Sequence, residues 1–97
     1  MVNIKWNKKA LTAFQFIFRF ISEDSITNAE NVRNYIFMMV DTLIKNPEKH
    51  NLDKFKVKND GHFRAFEKHK IRVTYFISKN EIRIVRVRHT KMNPKNF

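Results

Sequence analysis

Two β-prone segments in the last third of the chain, residues 71–77 and 81–89, constrain the fold more than any other feature. In the first segment every odd-numbered position is apolar or aromatic, which is the period-2 pattern of a strand. The polar pair Lys79-Asn80 separates it from the second segment, so the two together predict a β-hairpin. The second strand carries its arginines at nearly every other position, as Arg83, Arg86 and Arg88.

The phase of this second strand is unusual. If the strand were regular, its isoleucines would share a face with Arg86 and Arg88, and neither face would be purely apolar. Two arrangements explain such a pattern: a central strand whose first half is buried on both sides, or a β-bulge near Val85. In both, the end of the strand, including His89, leaves the core.

The first half of the chain contains two amphipathic helix patterns. Residues 8–22 have apolar side chains at three- and four-residue spacing, and they follow Asn7, a residue type that caps helices. The second pattern extends over residues 27–45, where the following proline ends it. Thr27–Glu30 matches a capping box, and Ser25 is a second cap candidate. Because only about four polar residues separate the patterns, we expect an antiparallel helix pair.

Phe16 and Phe20 widen the apolar stripe of the first helix. Core packing is the ordinary explanation for such a stripe, and we predict it for these two residues. The alternative is an exposed aromatic face that binds a partner.

The remaining segments complete the predicted architecture. Residues 47–62 form a polar, basic linker, which we interpret as a loop or a short edge strand. Phe63–Lys68 predicts a further strand, and residues 2–6 a short first one. The expected fold is α+β, with two antiparallel helices packed on a small antiparallel sheet in the order β-α-α-β-β-β. With 97 residues, the chain has room for a single domain spanning residues 1–97.

The charge balance is strongly basic. Lys and Arg number 20 against 9 Asp and Glu, a formal net charge of +11. This excess favours a polyanionic partner such as nucleic acid, the ribosome, an anionic membrane surface or an acidic protein; a merely solvated basic surface is the alternative. The chain lacks Cys, an apolar signal-peptide core and any apolar stretch of about 18 residues, so we expect a cytoplasmic protein with no membrane segment.

Arginines on neighbouring strands predict a cationic surface. Arg72 is expected to lie close to Arg86 and Arg88, with Arg64 as a further member, and guanidinium groups bind phosphates in bidentate geometry. The alternative is that these are surface arginines paired with nearby acids. The acids in question are Glu67, Glu81 and Asp60.

The histidines match no metal motif, the chain has a single Gly, and no carboxylates cluster. We therefore expect no metal and no cofactor. His89 follows the arginine strand, and an imidazole beside a basic phosphate site can act as general acid or base. An enzyme built from these residues would be metal-independent and would act on a phosphate ester.

Four segments, taken in order, are distinctive together. They are ALTAF…FISEDS, NAENV…LIKNPE, RAFEKHKIRVTY and IVRVRHTKMNPKNF. With them, the chain resembles the RelE/ParE superfamily of toxins from bacterial toxin–antitoxin operons over nearly its full length. The resemblance implies two helices on an antiparallel sheet. It also implies a small acidic antitoxin from the same operon, which lies across the helices or the basic face and forms a hetero-oligomer with the toxin.

The resemblance implies one of two activities. RelE-like members cleave mRNA in the ribosomal A site without a metal, and under this interpretation Arg72 and His89 are the catalytic residues. Those members usually have Tyr where Thr90 follows His89. Their paired lysines are also missing from the strand that contains Arg64-Ala65-Phe66, unless Lys54 and Lys56 substitute for them.

ParE-like members instead inhibit DNA gyrase and are not nucleases. The ending RVRHTKMNPKNF resembles theirs, with His, a basic residue and Met after an arginine strand. We therefore predict a ParE-like gyrase inhibitor without an active site. The alternatives are a RelE-like endoribonuclease that acts on the ribosome and mRNA, and a basic nucleic-acid-binding module without toxicity. The predicted binding surface consists of Arg64, Arg83, Arg86, Arg88, His89, Lys91 and Met92.

Overall fold

The computed structural model describes residues 2–91, which form two helices and four strands. The predicted α+β class and element order are confirmed. The strands are β1 (Asn3–Trp6), β2 (Phe63–Lys68), β3 (Ile71–Ile77) and β4 (Glu81–His89), and the helices are α1 (Lys8–Asp24) and α2 (Ile26–Thr42). Within residues 2–91, neither helix is long and apolar enough to cross a membrane.

The four strands form one sheet in the order β1-β4-β3-β2. The two hairpins β2–β3 and β3–β4 are antiparallel, as predicted. The pairing of β1 with β4 differs from the expected purely antiparallel sheet, since Asn3 lies opposite Glu81 and Trp6 opposite Ile84 in parallel register. Parallel neighbours need a long crossover connection, and the two helices between β1 and the rest of the sheet supply it.

Ser25 and Asn7 are the polar residues that precede the two helices, and only Ser25 caps its helix through its side chain. Ser25 alone separates the helices, and its Oγ accepts a hydrogen bond from the backbone N–H of Asn28 at 3.0 Å. Ser25 is therefore the cap of α2. The predicted capping box at Thr27–Glu30 is wrong, because α2 begins at Ile26 and Thr27 lies inside it. Asn7 precedes α1 as predicted, but its side chain makes no capping hydrogen bond. Its Oδ1 instead accepts one from Arg83 Nη1 at 3.0 Å.

The helices cover one face of the sheet. α1 lies against β4, and α2 lies against α1. The buried residues of this layer are Ala10, Phe14, Ile17, Val32, Ile36, Val40, Leu43, Phe66, Ile71, Val73, Tyr75, Ile82, Ile84 and Val87. Tyr75 is completely buried, and its hydroxyl donates a hydrogen bond to the carbonyl of Pro47 at 2.7 Å. Burial raises the pKa of Tyr75 to about 12, so its hydroxyl stays a donor.

A β-bulge changes the phase of β4 at its centre. Tyr75 lies opposite Ile84 but the preceding residue, Thr74, lies opposite Arg86, so Val85 is the extra residue. This confirms the bulge that was one of the two predicted alternatives. The bulge lets Ile84 and Val87 both join the core. It also turns Arg86 and Arg88 to the opposite sheet face.

Residues 47–62, which we call the strap, connect α2 to β2 around the edge of the sheet. Leu52 makes a single β-bridge to Arg64, and the strap otherwise consists of turns and bends. The strap is therefore a loop, as the first of the two interpretations had it. Its central residues reach the sheet face that the helices leave uncovered.

Candidate binding surface on the arginine face of the sheet

The sheet face that points away from the helices carries most of the C-terminal arginines. In β3, Arg72 and Thr74 point to this face because the residues that alternate with them lie in the core. The register places Arg88 directly opposite Arg72, and Arg86 opposite Thr74. We call this surface the arginine face and define it by Arg72, Thr74, Phe76, Arg83, Arg86 and Arg88.

A carboxylate from the strap is buried in the arginine face. Asp53 is 2% exposed. Its Oδ1 accepts hydrogen bonds from Arg72 Nη2 at 2.7 Å and from the backbone N–H of Phe55 at 2.9 Å, and its Oδ2 accepts one from the Thr74 hydroxyl at 2.7 Å. Burial by itself would raise the pKa of Asp53, but these hydrogen bonds outweigh it and hold the pKa below its ordinary value.

The ring of Phe55 contacts two guanidinium groups. Its centroid lies 4.8 Å from Arg72 Cζ and 5.0 Å from Arg88 Cζ, within cation–π range. Both arginines are only 8% exposed. The strap thus shields this part of the arginine face from solvent.

Arg72 is bound by two acids. Besides Asp53, it contacts Glu67, whose Oε1 accepts a hydrogen bond from Arg72 Nη1 at 2.9 Å. Within residues 2–91, the Nε of Arg72 is buried and has no hydrogen-bond partner. Arg86 is half-buried, and its pKa is lowered first by burial and then by the positive charge of Arg88. Among the described residues, three arginines and two acids therefore meet at the centre of the arginine face.

Arg83 lies apart from this centre. Its Nε donates to Glu81 Oε2 at 2.8 Å, and its Nη1 donates to Asn7, so it links β4 to the start of α1. Two of the three acids proposed as arginine partners, Glu67 and Glu81, do pair with arginines. The third, Asp60, contacts His62 instead.

Two predicted site residues lie on the helix face instead of the arginine face. Arg64 lies opposite Tyr75 in the register, and its Nη1 donates to the backbone carbonyl of His50 at 2.7 Å. His89 lies opposite Ile71, a residue of the core. The structure therefore does not bring Arg64 and His89 together with the arginines of the other face.

His89 and Lys91 line a groove between α1 and the end of β4, with a volume of about 750 Å³. We call it the α1–β4 groove. The Nδ1 of His89 accepts a hydrogen bond from the backbone N–H of Lys91 at 3.1 Å. Burial lowers the pKa of His89, as do the charges of Lys91 and Lys70. Met92, the last residue of the predicted surface, lies outside the described residues.

The wall of the α1–β4 groove includes Phe16 and Phe20, which are 69% and 63% exposed. The prediction that they pack in the core was wrong, and the alternative of an exposed aromatic face is what the structure has. The reason is the length of β1, which pairs with β4 only as far as Ile84. No other described strand extends the sheet beneath these two rings.

The sequence comparison decides which family has this fold. The family model described as ParE toxin of type II toxin-antitoxin system, parDE, matches residues 4–94. The chain belongs to the ParE toxin family. It is thus the toxin component of a type II toxin–antitoxin system, and the resemblance to the RelE/ParE superfamily is confirmed.

Solved structures of two other proteins have the same fold. A chain of the chromosomal ParDE toxin–antitoxin system from P. aeruginosa superposes on this ParE-family toxin with a TM-score of 0.70 at 17% identity, covering 92% of this chain and 96% of that one. A chain of the YoeB dimer from Staphylococcus aureus gives 0.53 at 14% identity, covering 91% and 95%. At these identities the likeness concerns the fold. No curated protein matches the chain.

Three residues that organise the arginine face of this ParE-family toxin were not predicted from the sequence. Asp53 and Phe55 lie in a segment that we interpreted only as a polar, basic linker, and Thr74 looked like an ordinary strand residue. One signal was present. Asp53 is the only acid between Glu48 and Asp60, and it lies two residues before Phe55 in an otherwise basic segment.

Proposed function

We propose that this ParE-family toxin inhibits DNA gyrase as a binding protein without an active site, acts in the cytoplasm, and is neutralised by a small acidic antitoxin from the same operon. The family match supports the toxin class. The observation that favours gyrase over mRNA is the position of His89, which pairs with Ile71 of the core and so lies on the other face of the sheet from Arg72.

A ribonuclease of the alternative type needs an arginine that reaches the scissile phosphate and a general acid or base within hydrogen-bond distance of the same group. Arg72 and His89 would supply these two functions. They lie on opposite faces of the sheet, because Arg72 pairs with Arg88 and His89 pairs with Ile71. A substrate phosphate on the arginine face would be separated from the imidazole by the sheet itself.

The α1–β4 groove is the surface that we assign to the antitoxin. It presents the rings of Phe16 and Phe20 beside the exposed side chains of Lys8, Lys9 and Lys91. Apolar anchors flanked by carboxylates would complement both properties. A largely disordered acidic segment can cover such a groove as it folds onto the toxin, and the net charge of +11 favours its approach.

We assign gyrase binding to the part of the predicted basic surface that lies on the arginine face, and in particular to Arg83 and Arg86. Both are half-buried and accessible at the sheet face opposite the helices. This location leaves most of the α1–β4 groove on the other side of the sheet, with Arg88 at the edge that the two surfaces share. Antitoxin and gyrase would then contact different faces, so the antitoxin would act by wrapping around the sheet edge or by changing the toxin's conformation.

The order in which cellular processes stop tests the proposal. On induction of the toxin we expect a DNA-damage response and arrested replication while mRNA remains intact. In a purified system, we expect inhibition of gyrase supercoiling, relieved by the cognate antitoxin. Early arrest of translation with mRNA cuts in the ribosomal A site, and unaffected supercoiling, would overturn the proposal in favour of the ribonuclease.

A further inference from the structure

The contacts of Asp53 have the form of an anion site that is occupied from within. The Thr74 hydroxyl, Arg72 Nη2 and the backbone N–H of Phe55 converge on one carboxylate at 2.7 to 2.9 Å. Short bonds from a guanidinium, a hydroxyl and a backbone amide are the contacts by which proteins hold oxyanions. The carboxylate that receives them belongs to the strap and not to the sheet that supplies most of the donors.

The site has more capacity than one carboxylate uses. Arg72 Nε is buried, and within residues 2–91 it has no hydrogen-bond partner. Arg86 and Arg88 lie beside Arg72 in the register, and the charges of Arg88 and Arg72 both lower the pKa of Arg86. Inorganic phosphate offers more acceptor oxygens than a carboxylate and carries a larger negative charge, whereas a phosphodiester carries one negative charge.

The strap is anchored at both ends without Asp53. On one side, Arg64 donates to the carbonyl of His50 and Tyr75 donates to that of Pro47, both at 2.7 Å. On the other, Asn59 Nδ2 donates to the carbonyl of Phe63 at 2.8 Å. The backbone of Asp53 is held as well, since its N–H donates to the carbonyl of Phe63 at 2.9 Å. The Asp53 carboxylate can therefore leave the site by rotation of its side chain while the strap stays attached to the fold.

We infer that Asp53 is the internal occupant of a phosphate-binding site formed by Arg72, Thr74, Arg86 and Arg88, and that a phosphate group competes with it for this site. The phosphate is either free or part of a nucleic-acid strand. While Asp53 occupies the site, the strap excludes the phosphate group. The site shares Arg86 with the surface that we assign to gyrase, but phosphate binding is measured without gyrase, so the two proposals can fail separately.

Replacement of Asp53 by a neutral isostere tests the inference. In the full chain, Asp53→Asn keeps a hydrogen-bond acceptor but removes the competing charge. We expect it to bind inorganic phosphate at least about tenfold more tightly than the wild type does, in calorimetric titrations at constant ionic strength. Asp60→Asn is the matched control, since it removes the same charge from an exposed turn where Asp60 contacts only His62 among the ion pairs. Equal phosphate affinities for the two variants would overturn the inference.

A second titration distinguishes the two sources of phosphate. A short labelled single-stranded oligonucleotide without terminal phosphates is added to both variants, with inorganic phosphate as competitor. A gain confined to Asp53→Asn and reversed by inorganic phosphate supports a phosphodiester ligand. A gain for inorganic phosphate alone supports the free anion. In either case, adding Arg86→Gln to Asp53→Asn should abolish the gain, and a gain that survives this change would overturn the site.

The wild-type chain gives a readout that does not depend on any variant's folding. The amide N–H of Phe55 donates to the Asp53 carboxylate, so displacement of Asp53 must change its environment. We expect the nuclear magnetic resonance signal of this amide to shift on addition of phosphate and not on addition of chloride at the same ionic strength. Identical behaviour in the two salts would contradict displacement of Asp53.

Discussion

The arginine face and the α1–β4 groove are the two surfaces of this toxin with unusual chemistry, and they are opposite in character. At the centre of the arginine face charge is buried and matched from within, since Asp53 binds Arg72 and Thr74 under the ring of Phe55. In the groove, apolar rings stand in solvent beside exposed lysines. The first surface already has a partner within the chain, whereas the second is the surface that we assign to the antitoxin.

This difference teaches that charge density alone does not identify an interface. The arginines are the most conspicuous feature of the sequence, yet two of them are nearly buried and contribute to the fold. The exposed phenylalanines are easily taken for core residues, yet they lie on the surface. The comparison can be tested by separating effects on stability from effects on binding.

The largest expected effect is on stability, at the buried pair. Asp53→Ala leaves Arg72 with a buried and partly unmatched charge, and breaking such a pair costs about 3 to 5 kcal/mol of unfolding free energy. Denaturant unfolding monitored by circular dichroism measures this cost. Glu67→Ala removes the other, half-exposed partner of Arg72 and should cost only about 0 to 1 kcal/mol. Equal costs for the two variants would mean that the arginine face is not organised by the strap.

The next effect is on binding, in the groove. Phe16→Ala or Phe20→Ala should weaken the antitoxin by about 2 kcal/mol each, roughly thirtyfold in affinity, because exposed aromatic anchors dominate such interfaces. Calorimetric titration with the cognate antitoxin measures the loss, and the free energy of unfolding should hardly change. Ile26→Ala, at a comparably exposed apolar residue outside the groove, is the control. If all three variants bind alike, the antitoxin occupies another surface.

A smaller effect is expected from acidification. The pKa of Asp53 is lower in the folded chain than its ordinary value of 3.8, so its ionised form contributes stability above that value. This contribution is lost as the pH falls through the lower, folded-state pKa. Unfolding free energies measured between neutral pH and pH 3 should therefore decline less steeply for Asp53→Asn than for the wild type. Parallel profiles would show that Asp53 does not carry the acid sensitivity.

The smallest effect concerns salt. Lys8, Lys9 and Lys91 are exposed at the groove, so their attraction to an acidic antitoxin is screened by added ions. We expect antitoxin affinity to fall as sodium chloride is raised, with a shallower dependence for Lys9→Gln. Each such rim contact contributes only about 0.2 to 1 kcal/mol. An affinity that does not respond to salt would mean that apolar burial alone holds the complex.

Local patterns were enough to predict much of this fold. The alternation of residues 71–77 predicted β3, and the change of apolar phase along β4 predicted a bulge near Val85. The polar residues around Ser25 predicted the turn between the helices. All of these features depend on residues that are close in the chain. Pairing partners far apart in the chain were less accessible, and the parallel register of Asn3 with Glu81 leaves no trace in either segment.

The candidate site was predictable only in part for the same reason. Cross-strand neighbours such as Arg72 and Arg88 follow once the hairpin is known. Asp53 reaches Arg72 from a loop without regular structure, and no periodicity specifies where such a loop lies. The two phenylalanines were misassigned because their exposure depends on where β1 stops, which the helix pattern does not encode.

The parallel pairing of β1 with β4 also affects the order in which the nascent toxin folds during translation. β1 is among the first segments to be synthesised, but its partner residues 81–84 follow only after both helices, the strap and two other strands. Contacts between such distant segments form late and slowly. The nascent chain therefore cannot close its sheet until translation has passed β4, and the α1–β4 groove, which includes residues of β4, cannot form before that point.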